Sequence, residues 1–162
     1  MTNLQKITVN LWFDSQAEAA RDFYVSVFPD GKAGRTAYYG KAGFEIHGQK
    51  EGTVMTAEFS INGQDFVALN GGPHFKFNEA ISLIVNCETQ EEVDYFWNKL
   101  GEGGEPKAQM CGWLKDKYGL SWQIVPVQLA ELMTSGDTEK SGRVMQAMLQ
   151  MKKLDIKALE EA

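Results

Sequence analysis

Cysteine, histidine and proline are scarce in this sequence, with two, two and four copies among 162 residues. Two cysteines, Cys87 and Cys111, are too few for a disulfide framework, and they do not form a CxxC pair. We therefore expect both to be reduced. The two histidines, His47 and His74, lie far apart in the sequence. The spacing of the residues does not by itself indicate a Ser-His-Asp triad or a Cys-His pair.

Long apolar runs and a surplus of basic residues are also missing. No apolar stretch approaches the roughly 20 residues that a membrane-spanning helix needs. Acidic residues outnumber basic ones, 22 to 16, for a net charge of −6. This balance argues against nucleic acid or an anionic membrane as a partner. The first residues lack a basic segment followed by a long apolar one, so we expect no secretory signal and a cytoplasmic location.

The composition is that of a globular protein, with 43% hydrophobic and 23% charged residues. Residues 7–13 alternate between apolar and polar and predict a strand. Ser15 and Glu18 predict a capping box, and apolar residues at helical spacing then continue to a stop at residues 29–31. Three strands should follow, at residues 35–39, 53–61 and 65–69, with residues 39–53 as a flexible glycine-rich loop and Asn62-Gly63 as a hairpin turn.

The same order of elements then recurs. Residues 81–87 predict a strand, and Thr89 with Glu92 predicts a second capping box at the start of a helix. Three more strands are expected at residues 107–110, 112–115 and 120–125. A shift of 74 places Val9 on Leu83 and Ser15 on Thr89. The chain therefore reads as one unit at about 5–72, a second at about 79–127, and a helical extension at about 128–162.

A sheet covered by one helix leaves its other face bare, and two such units can curl around each other and share an interior. Alternation predicts which residues lie on the bare face of the first strand of each unit. In the first unit they are Thr8, Asn10 and Trp12, and in the second unit they are Ser82, Ile84 and Asn86.

Paired strand-helix-three-strand units resemble the vicinal oxygen chelate superfamily of glyoxalase I, extradiol dioxygenases and bleomycin-resistance proteins. The segments LWFDSQAEAARDFYVSVFPDG, ALNGGPHFKFNEAISLIVNC and CGWLKDKYGLSWQIVP are similar to the PhnB-like branch, whose members often carry the name 3-demethylubiquinone-9 3-methyltransferase. The resemblance implies an α+β fold of two tandem βαβββ units forming curled mixed sheets, and a homodimer. Residues 13–16 lack the glycine-rich turn of S-adenosylmethionine methyltransferases, so we do not expect that fold or chemistry.

Metal enzymes of that superfamily carry a His, Gln or Glu on the first strand of each unit and a carboxylate or imidazole on the last. The corresponding residues here are Thr8 and Ser82 on the first strands, and Val67 and Gln123 on the last. Hydroxyl and amide groups are poor ligands for divalent metals. We therefore expect no metal site of the usual kind and no cofactor.

The residues left to face an interior cavity combine aromatic rings with amides and hydroxyls, a composition suited to a small, flat or apolar molecule with polar handles. The candidate ligand-binding residues are Asn10, Trp12, Asn70, Ser82, Asn86, Trp113 and Gln123; each could instead serve core packing or a turn. His74, in a glycine-rich linker, is a candidate general acid or base or a ligand-orienting residue. His47 is expected to be a solvated loop residue, and Trp122 to pack against a helix.

Three functions stay open at this point. The first is a metal-free small-molecule binder, as bleomycin-resistance proteins are. The second is a metal-dependent lyase, isomerase or dioxygenase with an unorthodox site at His74 and Gln123. The third rests on the methionine-rich extension, whose apolar stripe predicts either a cover for the sheet or dimer seam, or a partner-binding surface.

Overall fold

The structure is a computed structural model that describes residues 4–162. It divides into two compact units, Met1–Lys76 and Phe77–Ala162. The α+β class is confirmed, because two open mixed sheets, of four and three strands, carry helices beside them. No helix among the described residues is long and apolar enough to cross a bilayer.

The first unit contains a four-stranded sheet with the order β1-β4-β3-β2, in which only β1 and β4 are parallel. Its elements are β1 (Val9–Phe13), α1 (Ala17–Val27), β2 (Lys32–Tyr38), α2 (Phe44–His47), β3 (Val54–Ile61) and β4 (Gln64–Asn70). One face of the sheet is buried beside α1, where Tyr24 stacks on Phe59 and Phe59 stacks on Phe66 at 5.1 Å between ring centroids. The opposite, open face carries the alternate residues of each strand.

The predicted flexible loop at residues 39–53 is an anchored segment that contains α2. Backbone hydrogen bonds join Tyr39 to Thr53 and to Gly52, each at 2.8 Å. His47 is half-buried at the end of α2, where its ring lies 4.7 Å from that of Tyr39 and both ring nitrogens have partners. The Gln49 amide donates to Nδ1 at 2.9 Å, and Nε2 lies 3.0 Å from the Ala42 carbonyl, so both contacts orient the ring.

The second unit contains a three-stranded sheet with the order β5-β7-β6, in which β5 and β7 are parallel. Its elements are β5 (Ser82–Cys87), α3 (Gln90–Gly101), β6 (Trp113–Lys115) and β7 (Ser121–Pro126). The predicted N-cap Thr89 is confirmed, because its hydroxyl accepts from the Glu92 amide at 3.2 Å. Trp122 is buried, as predicted, on the face that also contacts α3.

The strand predicted at residues 107–110 is not formed. A 3₁₀ turn at Pro106–Ala108 takes its place, and Met110 contributes a single bridge to Trp113. The reason is local: proline has no amide hydrogen to donate to a sheet, and the Glu105 carboxylate caps the turn by accepting from the Lys107 amide at 3.0 Å. The second unit is therefore one strand shorter than the first.

Three helices form the C-terminal extension: α4 (Val127–Thr134), α5 (Thr138–Leu149) and α6 (Ile156–Glu160). Their apolar faces meet in a small core of Val144, Leu154 and Leu159, against which Met133, Met148 and Met151 pack. Most of the methionine stripe is thus used within the extension.

The segment that joins α5 to α6 is fixed to the rest of the second unit by its backbone. The amides of Cys111 and Gly112 donate to the carbonyls of Met151 and Lys152 at 2.9 and 2.8 Å. The Gln90 side chain donates to the Leu154 carbonyl and accepts from the Ile156 amide. The extension is therefore docked on the second unit by paired main-chain groups as well as by apolar contact.

Candidate functional site

Asn10 and Trp12 lie on the open face of the first sheet, as alternation predicts. Asn10 is exposed, whereas Trp12 is half-buried and its indole nitrogen donates to the Gly72 carbonyl at 2.9 Å. Phe75 meets the indole edge-on at 4.9 Å between ring centroids. Gly71 lies so close that an added Cβ would stand 2.2 Å from the indole ring, so only glycine fits there. Trp12 therefore anchors the segment that follows β4.

Asn70 ends β4 on the covered face of the sheet and is only 8% exposed. Its Oδ1 accepts from the Ala17 amide at 2.8 Å, and its Nδ2 donates to the Val54 carbonyl at 3.0 Å. The amide thus caps the start of α1 from a distant strand. The capping box predicted at Ser15 is wrong: the helix begins after Gln16, which provides no side-chain cap. The structure places Asn70 in the scaffold of the first unit.

A cavity of about 490 Å³ lies over the open face of the first sheet, the face that carries Asn10 and Trp12. Its volume falls within the range of small-molecule sites. The lining includes Thr8 and Val67, the two positions of this unit that correspond to metal ligands in the superfamily. Asn10, Trp12 and Asn70 are not among its lining residues.

Charged groups give this cavity its chemistry. Arg35 and Glu58 form a two-point ion pair on neighbouring strands, with N–O distances of 2.9 and 3.0 Å. The hydrogen bond from Arg35 lowers the pKa of Glu58, against a smaller opposing effect of burial. Lys32 and Asp65 complete a lining with two cations and two carboxylates. The cavity lining thus includes charged side chains, which the predicted aromatic and amide pocket did not contain.

Sequence reasoning missed this charged lining, although a signal was present. Glu58 interrupts the otherwise apolar or small run of β3 at a position that faces away from α1. A charge inside a strand whose other face is buried is a reason to expect a partner on the adjacent strand. The partner, Arg35, follows a register shift between Ala33 and Thr36, which the sequence does not reveal.

On the open face of the second sheet, the structure brings three of the predicted residues together. Gln123 Nε2 donates to Ser82 Oγ at 2.9 Å across the parallel pair β5–β7. Trp113 is the register partner of Gln123 on the other side. Asn86 lies on the same face of β5 but is exposed and pairs with Val125, further along the strands.

The donor set does not suit the metal ion that the superfamily implies. Ser82 and Gln123, at the metal-ligand positions of the second unit, are bonded to each other. In the first unit the corresponding side chains are a threonine and a valine. Across residues 4–162, no three His, Cys, Asp or Glu side chains lie close enough together to hold a metal ion. Neutral hydroxyl and amide groups without carboxylate or imidazole are weak ligands.

Three other residues with reactive side chains, His74, Cys87 and Asp116, differ in how far they are buried. His74 is exposed, in the segment after β4. Cys87 is fully buried, and burial raises the pKa of its thiol to about 12, so it is a structural residue with little thiolate. Asp116, in the stretch that aligns with a metal-enzyme motif, accepts from the Trp122 indole at 2.8 Å and from two backbone amides of its own turn. It holds the β6–β7 connection in place.

The comparisons with known proteins agree with this fold. The family model described as 3-demethylubiquinone-9 3-methyltransferase matches residues 5–125. The PhnB protein of Bacillus cereus is 39% identical, with a TM-score of 0.64, and the match covers 76% of this chain and 100% of that one. Protein PA1353 of Pseudomonas aeruginosa is 18% identical, with a TM-score of 0.57 over 76% of this chain and 98% of that one, which shows a shared fold. No curated protein matches the chain in sequence.

The family match ends just before the C-terminal extension, so α4, α5 and α6 lie outside it. Over residues 5–125, the family match covers both units, and the order of elements is the one that the family resemblance predicted, apart from the missing strand at residues 107–110. The chain belongs to the 3-demethylubiquinone-9 3-methyltransferase family, the PhnB-like branch of the vicinal oxygen chelate superfamily.

Proposed function

We propose that this protein binds a small polar molecule in the cavity over the first sheet, without the metal ion usual in the superfamily. The observation that carries the proposal is the cavity of about 490 Å³, whose floor contains Thr8 and Val67 where a metal enzyme would place its ligands. A cavity of this size, opening at the ligand-bearing positions of the fold, is suited to a small molecule.

The lining favours a ligand that carries both donors and acceptors. Arg35 offers a planar fork of N–H donors, and Glu58 and Asp65 offer carboxylate oxygens. The Arg35 side chain is 89% exposed, so it can turn from Glu58 to a bound carboxylate or carbonyl with little loss. A ligand with an anionic or carbonyl group beside a hydroxyl or amine would match this arrangement.

The test is a binding screen of the purified chain by thermal shift and native mass spectrometry, using a library of small polar and aromatic acids. Val67→Trp should abolish any binding found, because it fills the open face between β1 and β3 without touching the buried face. Ile46→Trp is the matched control, since Ile46 is 89% exposed and outside the cavity lining. Failure to bind anything, or equal binding by the Val67→Trp variant, contradicts the proposal.

Metal content decides between this proposal and a metal-dependent lyase, isomerase or dioxygenase. Elemental mass spectrometry of untagged protein should give less than about a tenth of an ion per chain, because the donor set is weak. Close to one ion per chain would restore the metal-enzyme alternative, and His74→Ala would then test its acid–base residue. Loss of turnover in that variant would support the alternative.

Four further properties belong to the same proposal. The methyl transfer in the family name is not expected here, because neither sheet is the doubly wound parallel sheet of S-adenosylmethionine methyltransferases. The proposal includes a homodimer, on the family resemblance, and no nucleic-acid partner, on the net charge of −6. It also includes a cytoplasmic location, on the expected lack of a secretory signal. Sedimentation velocity at several protein concentrations tests the dimer.

A further inference from the structure

A second group of polar side chains lies on the open face of the second sheet, in register across its three strands. Ser121 on β7 is the register partner of Ser82 on β5 and of Lys115 on β6. Side chains of directly paired residues share a face of a sheet. Neighbouring strands lie about 4.8 Å apart, so one small group can contact two of these side chains at once.

Ser121 is the unusual member of this row. It is 1% exposed, and its Oγ has no hydrogen-bond partner among the described residues. A buried hydroxyl without a partner is uncommon, because it has lost its water and gained nothing in exchange. Alanine or valine would fill the position at lower cost. Ser121 Oγ is closed to solvent, so an outside group reaches this hydroxyl only by displacing the side chains over it, and the hydroxyl is then a donor without a competing partner.

The two neighbours of Ser121 also have donors to spare. Ser82 Oγ accepts from Gln123, which leaves the Ser82 hydroxyl hydrogen to point elsewhere. Lys115 has three N–H donors and forms an ion pair with Glu79, a side chain that is 62% exposed. The row thus consists of two hydroxyl donors and one ammonium group, and within residues 4–162 its charged acceptor is the exposed Glu79 carboxylate.

We propose that the row Ser82–Ser121–Lys115 is a binding site for the oxyanion group of a small molecule, a phosphate, phosphonate or carboxylate. Such a group accepts from the Ser121 and Ser82 hydroxyls while Lys115 supplies the countercharge. Glu79 holds Lys115 at this position in the free protein and competes with the incoming anion. Every residue of the site belongs to the second unit, so this proposal does not depend on the cavity over the first sheet.

The test uses ¹H–¹⁵N spectra of the full chain titrated with inorganic phosphate, with acetate as the carboxylate arm and chloride at matched ionic strength as the blank. Phosphate or acetate should give saturable shifts at the Ser82 and Ser121 amides that chloride does not give. The tighter of the two oxyanions identifies the ligand class. Absence of saturable shifts with both overturns the proposal.

Variants separate binding from structure. Lys115→Met should weaken oxyanion binding about tenfold or more, because hydrogen bonds to charged groups are the strong ones. Lys107→Met, in the 3₁₀ turn of the same unit, changes the net charge equally and should leave affinity within about twofold. Equal weakening by both would reduce the effect to general electrostatics and refute the site.

Two more variants keep the test independent of folding. Glu79→Gln should tighten binding about two- to fivefold by removing the competing carboxylate. Glu102→Gln, in the same unit, removes the same charge elsewhere and is the matched control. Ser121→Ala should weaken binding while leaving the unfolding midpoint unchanged or higher, since the hydroxyl it removes has no partner in the free protein. No gain from Glu79→Gln, or unchanged affinity in Ser121→Ala, contradicts the assignment.

Discussion

Replacing Asn70 with alanine should destabilise the first unit strongly, although asparagine at a strand end is usually a tolerant position. The side chain is 8% exposed and makes two hydrogen bonds, to the Ala17 amide at 2.8 Å and the Val54 carbonyl at 3.0 Å. The first caps α1 and the second satisfies the carbonyl at the start of β3. Asn70→Ala removes both and leaves their partners without a bond.

The magnitude follows from the two losses. Removing an N-cap side chain costs about 1 kcal/mol. Leaving a partly buried carbonyl unsatisfied costs about 1–3 kcal/mol more. We therefore expect the free energy of unfolding to fall by about 2–4 kcal/mol. Asn70→Asp should lose less, about 1–3 kcal/mol, because it keeps the acceptor for the helix amide and loses only the donor to Val54.

Urea denaturation followed by far-UV circular dichroism measures these changes. Asn10→Ala is the matched control: Asn10 is exposed on β1, and its loss should change stability by less than about 0.5 kcal/mol. If Asn70→Ala unfolds at the same urea concentration as wild type, or if both asparagine variants lose equally, the assignment of Asn70 to the scaffold is refuted. A ligand-binding role for Asn70 would then be the better interpretation.

Three other outcomes are expected. Asp116→Asn should destabilise the second unit by about 2 kcal/mol or more in the same assay, because an amide cannot accept at both positions where the buried carboxylate now accepts from an indole and two backbone amides; an unchanged midpoint would contradict this. Gln90→Ala should speed hydrogen exchange at residues 151–156 and spare β7, since it removes the two side-chain bonds that hold this segment; uniform exchange throughout the unit would show that the segment is held otherwise. Stability should fall as the pH rises from about 9 towards 12, because the Cys87 thiol has a pKa near 9 in the unfolded chain and about 12 when buried; Cys87→Ala should flatten that part of the pH–stability curve.

The sequence by itself determined the architecture of the units. Alternation placed β1, β3, β4, β5 and β7 to within about two residues, and it assigned Leu11 and Phe13 to the covered face and Asn10 to the open one. The repeated order of elements and three similar segments were enough to indicate the superfamily. These features depend on neighbouring residues or on a repeating pattern, so they can be recognised from the sequence alone.

Features that depend on distant residues were decided by the tertiary structure. The cap of α1 comes from Asn70, and no local pattern could replace the false signal of Ser15 and Glu18. The failed strand at residues 107–110 shows the reverse case, in which one proline and one capping carboxylate outweighed a favourable pattern.

The chemistry of the two open faces likewise depends on register. The ion pair of Arg35 with Glu58 forms only because β2 shifts register against β3. The unpaired hydroxyl of Ser121 has meaning only once β7 lies between β5 and β6. Alternation states which residues share a face of one strand, but strand order and register decide which side chains meet, because they join residues that the sequence keeps far apart.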